Sequence, residues 1–98
     1  MAQPIYKVFL CKPTEAMYQL SEEERNRLFA KVGEALGKVG AKQVLLCASL
    51  GSEQWGYFGF DLYPDIEALQ KYTELLNEFN WFRYMEAMTV LGTEMPTS

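Results

Sequence analysis

The chain has 98 residues, no histidine and a formal net charge of -4, from 13 acidic and 9 basic residues. This length predicts one domain, residues 1–98, with a core that is marginal on its own. The basic residues are spread from Lys7 to Arg83, so neither nucleic-acid binding nor attachment to an anionic membrane is expected. The lack of histidine excludes Ser-His-Asp and Cys-His catalysis and removes the commonest metal ligand.

Cellular location and cofactors are predicted from what the sequence lacks. Cys11 and Cys47 lie far apart in apolar runs and form no CxxC pair, which is typical of buried free thiols. The N-terminus carries no basic segment followed by a long apolar one, and no apolar run approaches the roughly 18 residues that span a bilayer. A cytoplasmic protein is therefore expected. No metal, phosphate or dinucleotide motif is present, so no cofactor is expected.

The apolar periodicity predicts four strands and two helices in the order βαββαβ. Ser21 followed by Glu24 is a capping-box pattern that starts the first helix, and Gly40 is its expected C-cap. Asp65 is the expected N-cap of the second helix, and residues 77–85 form either its bent extension or a short separate turn. The strands are predicted at residues 5–11, 43–48, 55–63 and 87–91.

Two pairs of glycines interrupt these elements. Gly33 and Gly37 lie four residues apart in the first helix, which predicts close approach of another element because glycine weakens a helix. Gly56 and Gly59 lie in the third strand, where a bulge, a bend or close approach of a ligand or another backbone is expected.

This element order predicts an α+β, ferredoxin-like fold, in which two helices cover one face of a four-stranded antiparallel sheet. A sheet face in water would alternate apolar and polar residues, but residues 44–48 are apolar throughout. The third strand is also apolar on both sides, with Tyr57 on one and Phe58 and Phe60 on the other. A second copy of the chain is expected to cover the open face as a homodimer. The alternative is a monomer that uses this face as a ligand groove.

In this pattern the chain resembles the dimeric α+β barrel superfamily, which includes antibiotic-biosynthesis monooxygenases, muconolactone isomerases and polyketide cyclases. The resemblance implies sheet-to-sheet dimers with small ligand pockets between the sheet and the helices. A small uncharacterised bacterial family of this superfamily is similar in three segments and has no established activity to transfer. These segments are Lys12-Pro13, Leu20-Ser21 before Glu23-Glu24-Arg25, and Trp81-Phe82-Arg83-Tyr84.

One candidate ligand site is a stripe near the end of the second helix. If that helix continues, Asn77, Asn80, Trp81 and Tyr84 lie at i, i+3, i+4 and i+7 on one side. An amide, an indole and a phenol can together hold a planar, oxygenated aromatic molecule. Cofactor-free monooxygenases of the superfamily use similar residue types around a phenolic substrate. The alternative is a helix end whose aromatic side chains seal the dimer interface.

A second candidate site is Lys7 with Asp61, each of which interrupts an apolar strand. The first and third strands are expected to be antiparallel neighbours, so these two residues can pair across the sheet. A partly buried pair of this kind can have shifted pKa values and act as an acid/base couple. The alternatives are a structural ion pair or two side chains that reach the rim.

A third candidate is the aromatic group Tyr6, Trp55, Tyr57 and Tyr63, which lines either a pocket or simply the core and interface. Two functions fit these sites. One is non-catalytic binding of a small aromatic molecule, as in a ligand-sequestering or stress-related protein. The other is a cofactor-independent monooxygenase, isomerase or cyclase acting on an aromatic or polyketide-like substrate. In that enzyme Trp81 and Tyr84 orient the substrate, Asn80 polarises an oxygen, and Lys7 or Asp61 handles protons. A purely structural or interaction role is the remaining alternative.

Overall fold

A computed structural model describes residues 3–52 and 54–96, which form four strands and four helices. The strands make one antiparallel sheet in the order β2-β3-β1-β4, and the helices pack on one of its faces. The predicted α+β, ferredoxin-like fold is therefore confirmed. In chain order the elements are β1 (Ile5–Pro13), α1 (Glu15–Tyr18), α2 (Glu22–Lys38), β2 (Lys42–Ala48), β3 (Tyr57–Tyr63), α3 (Ile66–Glu78), α4 (Trp81–Tyr84) and β4 (Met85–Gly92).

The two long helices begin where their capping residues predict. Ser21 Oγ accepts a hydrogen bond from the Glu24 backbone N–H at 3.1 Å, and the Ser21 N–H donates to the Glu24 carboxylate at 3.0 Å. Asp65 Oδ1 accepts from the Ala68 N–H at 2.8 Å at the start of α3. The C-cap of α2 is Val39, one residue before the predicted Gly40, because Gly40 takes the left-handed φ of 73° that follows a helix end.

The short helices α1 and α4 were not predicted as such. Helix α1 lies in a segment expected to be a loop, and it buries Met17 against Cys11, Leu28 and Met85. Helix α4 is separate from α3 because Asn80 adopts a left-handed conformation with φ of 58°, which ends the first helical run. The bent extension and the separate turn were both left open by the sequence, and the separate turn is what forms.

The face of the sheet away from the helices is apolar, as predicted. We call this face the open face. Val8 lies at its middle, opposite Phe60 on one side and Val90 on the other, and Val90 is 65% exposed. Apolar residues of the open face are Tyr6, Val8, Leu10, Leu45, Cys47, Phe58, Phe60, Leu62, Met88 and Val90.

No helix in the described part of the chain is long and apolar enough to cross a membrane.

The strand and helix glycines have different surroundings. Strand β2 shifts register between Gln43 and Leu45, and a Cβ built on Gly59 would collide with the Leu45 carbonyl oxygen. Of the alternatives expected for the third strand, close approach of another backbone is thus found at Gly59, whereas the bulge lies in the neighbouring strand β2. The close approach predicted at Gly33 and Gly37 is wrong, since no other element of the described chain comes within 4 Å of a Cβ at either position.

Replacing Gly59 by alanine is expected to lower the free energy of unfolding by about 1–3 kcal/mol, because the added methyl group must displace a strand backbone. Gly33→Ala is the matched control. It is expected to raise the free energy of unfolding by about 0.5–1 kcal/mol, because alanine favours a helix more than glycine does and the position has room for a methyl group. Urea denaturation of both variants measures the difference. A Gly59→Ala protein as stable as the wild type would contradict the close approach.

Candidate functional site

A cavity of about 310 Å³ lies between the helix-covered face of the sheet and helices α2, α3 and α4. It runs between two core clusters, one containing Tyr72 and Leu76 and the other containing Cys11 and Met85. Half-exposed apolar side chains line its mouth, so it is open to solvent on one side. These mouth residues are Phe29, Leu46, Tyr57 and Phe82.

The floor of the cavity is formed by alternate strand residues whose side chains lie on the helix-covered face of the sheet. Lys7 of β1 lies opposite Asp61 of β3, and Asp61 lies opposite Gln43 of β2. This places a polar row of three side chains across a floor that is otherwise mainly apolar. The next residues on the same face of β1 are Phe9 and Cys11, and both line the cavity.

Asp61 is the buried polar residue of this site, with 3% of its surface exposed. The Tyr63 hydroxyl donates to its Oδ2 at 3.2 Å, whereas its Oδ1 has no hydrogen-bond partner among the described residues. Burial raises the pKa of the Asp61 carboxyl, and the Lys7 charge and the Tyr63 hydrogen bond oppose that rise. Asp61 thus lines the cavity with a buried carboxyl oxygen that no donor of the described chain satisfies.

Lys7 enters the same cavity from the neighbouring strand. Its Nζ lies 5.2 Å from the centre of the Tyr72 ring, a cation–π distance. Burial lowers the pKa of the Lys7 ammonium, while the Asp61 and Cys11 charges oppose that effect. In the described chain the ion pairs within 4.0 Å join other residues, so Lys7 and Asp61 do not form a close salt bridge.

Tyr72 and Tyr63 complete the polar part of the site from above and beside Asp61. The ring centres of the two tyrosines are 5.6 Å apart. Burial raises the pKa of both phenols, and the nearby Asp61 charge raises each further. Both hydroxyls therefore stay protonated at neutral pH, and that of Tyr63 donates to Asp61.

The structure brings four of the six predicted site residues together at this cavity. Lys7, Asp61, Tyr57 and Trp81 all line it, and the Trp81 ring packs edge-on against Phe29 with centroids 5.9 Å apart. Three strand residues on the helix-covered face and one residue from the start of α4 thus converge on one space.

Asn80 and Tyr84 are not among the residues that line this cavity. The left-handed turn at Asn80 interrupts the helix, so the expected single stripe of Asn77, Asn80, Trp81 and Tyr84 does not form. Tyr84 instead lines a second pocket of about 180 Å³ with Leu20, Leu28 and others. Trp81 alone of that stripe remains in the cavity.

The third predicted group is also divided. Tyr57 lines the cavity and Tyr63 holds Asp61, but Tyr6 lies on the open face beside Phe60, with ring centres 6.4 Å apart. Trp55 precedes β3 and is not among the cavity residues.

Several cavity residues were not singled out from the sequence. Tyr72 is the hydroxyl-bearing member of the apolar stripe of α3, and that hydroxyl was the available signal. Gln43 and Thr89 share the parity of Asp61 and Lys7 on the neighbouring strands, so a strand register would have found them. Among the described residues no group of three or more His, Cys, Asp or Glu side chains is placed to hold a metal ion.

Three solved structures align along nearly the full length of both chains. Hydroxynitrile lyase from Passiflora edulis has a TM-score of 0.68 at 12% sequence identity, covering 100% of this chain and 99% of that chain. A dabb family protein with a ferredoxin-like fold from Mesorhizobium loti has a TM-score of 0.66 at 13% identity, covering 96% and 99%. A mutant of SnoaB, a cofactor-independent oxygenase from Streptomyces nogalater, has a TM-score of 0.64 at 15% identity, covering 98% and 97%.

These likenesses show the fold of the chain. The ferredoxin-like fold that the sequence predicted is confirmed by them. No family model matches the chain, and no curated protein matches it.

The Asp61 carboxyl is expected to titrate above the ordinary aspartate value of 3.8, because burial disfavours its charged form. Lys7→Met should raise this pKa further by removing a positive charge, and Tyr63→Phe by removing a donor. Carbon-detected NMR of the side-chain carboxyls measures all three titrations. Glu24 is the internal control, since its hydrogen bonds with Ser21 lower its pKa.

The same shift has a defined effect on stability. Because the folded pKa of Asp61 lies above its unfolded value, its stabilising contribution is complete below the unfolded pKa and is lost as pH rises through the folded pKa. As the pH rises from the unfolded pKa of Asp61 to its folded pKa, the free energy of unfolding of the wild type should fall relative to that of Asp61→Asn. A titration at or below 3.8 in the wild type would contradict the buried carboxylate.

Proposed function

We propose that the protein binds a small, mainly aromatic molecule that carries a hydroxyl group, in the cavity between the sheet and the helices. The single observation behind this proposal is the unpartnered Asp61 Oδ1 in a cavity with aromatic walls. A buried acceptor without a partner is unfavourable, so a ligand hydroxyl that donates to it gains binding free energy.

The size of the cavity supports a ligand of one or two rings. Its volume of about 310 Å³ lies near the lower end of the roughly 300–1,000 Å³ range of small-molecule pockets. It is also about twice the ~150 Å³ that accommodates benzene in an engineered apolar cavity. Phe29, Tyr57 and Trp81 offer ring faces and edges for stacking, while Lys7 can donate to a second polar group of the ligand.

A second candidate function is acid/base catalysis on such a molecule, as in a cofactor-independent oxygenase, isomerase or cyclase. The observation that favours it is the direct opposition of Lys7 and Asp61 in one cavity, where burial raises the pKa of Asp61 and lowers that of Lys7. Asp61 would remove a proton and Lys7 would stabilise the negative charge that forms on oxygen. The fold that the chain shares with the cofactor-independent oxygenase SnoaB is compatible with this function.

Binding is expected to change the fluorescence of Trp81, which lines the cavity, when the protein is titrated with phenols and naphthols. Trp81→Phe should abolish the response, whereas Trp55→Phe should retain it, because Trp55 lies outside the cavity. Asp61→Leu should weaken binding of a phenol at least about tenfold, the equivalent of one hydrogen bond to a charged group. Equal affinity for benzene and phenol analogues would contradict the role of Asp61.

The same ligands also separate the two candidate functions. Each bound compound is incubated with the protein in air, and oxygen uptake and product formation are followed. Consumption that is lost in Asp61→Asn supports the enzyme, whereas saturable binding without any consumption supports the binding protein.

We further propose that the protein is a homodimer joined through the open face. Ten apolar side chains of four strands lie on this face, and the helices cover only the other one. A contiguous apolar surface of this kind is unusual on a monomer, and a two-fold partner covers it with the same residues. Lys12 and Glu86 form a 3.3 Å ion pair at one end of the face, which gives it a polar edge.

Sedimentation equilibrium at micromolar concentration is expected to give twice the 11.3 kDa mass of one chain. Val90→Lys should shift the mass to that of one chain, because it places a charge in the interface. Ala30→Lys, at an exposed position of α2, is the matched control and should leave the dimer intact. A wild-type particle of 11.3 kDa would overturn the proposal.

A further inference from the structure

We propose that Lys7 forms a reversible imine with an aromatic aldehyde or ketone held in the cavity. This inference rests on the proposed ligand site and defines its ligand class more narrowly, as a carbonyl compound. It assigns Lys7 a covalent role, in addition to that of a hydrogen-bond donor or a charge.

The first argument is the position of Lys7. It is the lysine that lines the cavity, among aromatic and aliphatic side chains. Lys12 and Lys71 are paired with Glu86 and Glu74 at 3.3 and 3.7 Å, and these pairs are largely exposed. A carbonyl carbon that enters the cavity therefore meets one amine and no competing lysine.

The second argument is the state of this amine. An amine attacks a carbonyl only when it is unprotonated, and burial in apolar surroundings favours that form. Among the described residues no carboxylate lies within 4.0 Å of Lys7, and an aromatic ring lies beside its Nζ. Burial accordingly lowers its pKa, although Asp61 and Cys11 oppose the effect. Tyr72 also faces this amine, and its raised pKa keeps it neutral.

The third argument is the acid/base group beside the amine. Imine formation needs a proton donor to the carbonyl oxygen and an acceptor for a proton from nitrogen. Asp61 lies directly opposite Lys7 in the sheet, and its Oδ1 is not occupied by another donor of the described chain. Its raised pKa makes its protonated form more accessible than that of an ordinary aspartate.

The step balances without an oxidant or reductant. The Nζ lone pair forms a C–N bond to the carbonyl carbon, and the C=O π electrons move to oxygen, which takes a proton from Asp61. The resulting carbinolamine nitrogen returns one proton to Asp61. Asp61 then protonates the hydroxyl, which leaves as water while the C=N double bond forms, and the resulting iminium nitrogen returns its proton to Asp61. Amine and aldehyde thus give an imine and one water, and hydrolysis reverses the step.

Reductive trapping tests this inference on the intact protein. The protein is incubated with 4-hydroxybenzaldehyde and sodium cyanoborohydride, which reduces an imine to a stable secondary amine. We expect one adduct per chain, with a mass gain equal to the aldehyde less one oxygen atom, and peptide mapping should locate it on Lys7. Lys7→Arg should lose this adduct, because a guanidinium stays protonated. Lys42→Arg, at an exposed strand position, should retain it.

A carbonyl-free analogue separates failure of the imine from failure of the ligand site. Excess 4-hydroxybenzyl alcohol should compete for the cavity and suppress labelling of Lys7. This test uses the wild-type protein and does not depend on the folding of any variant. If the alcohol changes Trp81 fluorescence but the aldehyde gives no Lys7 adduct, the imine is overturned and the ligand site stands. If neither compound binds, both proposals are overturned. Labelling spread over the exposed lysines, or unaffected by the alcohol, also overturns the imine.

Discussion

The burial of Asp61 opposite Lys7 is the constraint around which the cavity is organised. A carboxylate that is 3% exposed and holds one hydrogen bond opposes folding, and the nearby ammonium offsets that effect only in part. Apolar residues of similar volume at both positions would commonly be as stable or more stable. A sheet that keeps both groups inside an aromatic cavity therefore gains little stability from them. This balance favours a role in ligand recognition or chemistry.

Much of the fold follows from local rules that the sequence states directly. Ser21 with Glu24 and Asp65 satisfy orphan backbone N–H groups at the starts of α2 and α3, so those helices begin where expected. The side-chain alternation of a strand has a fixed period of two, so the parity of Lys7 and Asp61 sets which face they occupy. Strands β1 and β3 are antiparallel neighbours, so the register of this pair alone decides that Lys7 lies directly opposite Asp61.

The rest of the site depends on tertiary geometry that periodicity does not contain. One left-handed residue, Asn80, turns the chain between α3 and α4, and it separates Trp81 from the stripe on which a continuous helix would place it. Tyr72 reaches Lys7 because α3 packs across β1 and β3, a contact between elements distant in sequence. The bulge in β2 leaves one signal in the sequence, which is Gly59 of β3. This glycine has no side chain and so accommodates the backbone of β2. Such features arise from packing between elements.

The two candidate functions differ at one atom, the unpartnered Oδ1 of Asp61. A phenolic hydroxyl with a pKa near 10 is a far weaker acid than a carboxyl, so it donates a hydrogen bond and keeps its proton. Catalysis requires a ligand whose conjugate base is stabilised enough for the proton to transfer. Burial reduces the difference in pKa between ligand and carboxyl by raising the pKa of Asp61. Lys7 reduces it further by stabilising negative charge on the ligand oxygen. Whether the site binds or reacts is therefore decided by the acidity of the molecule that enters it.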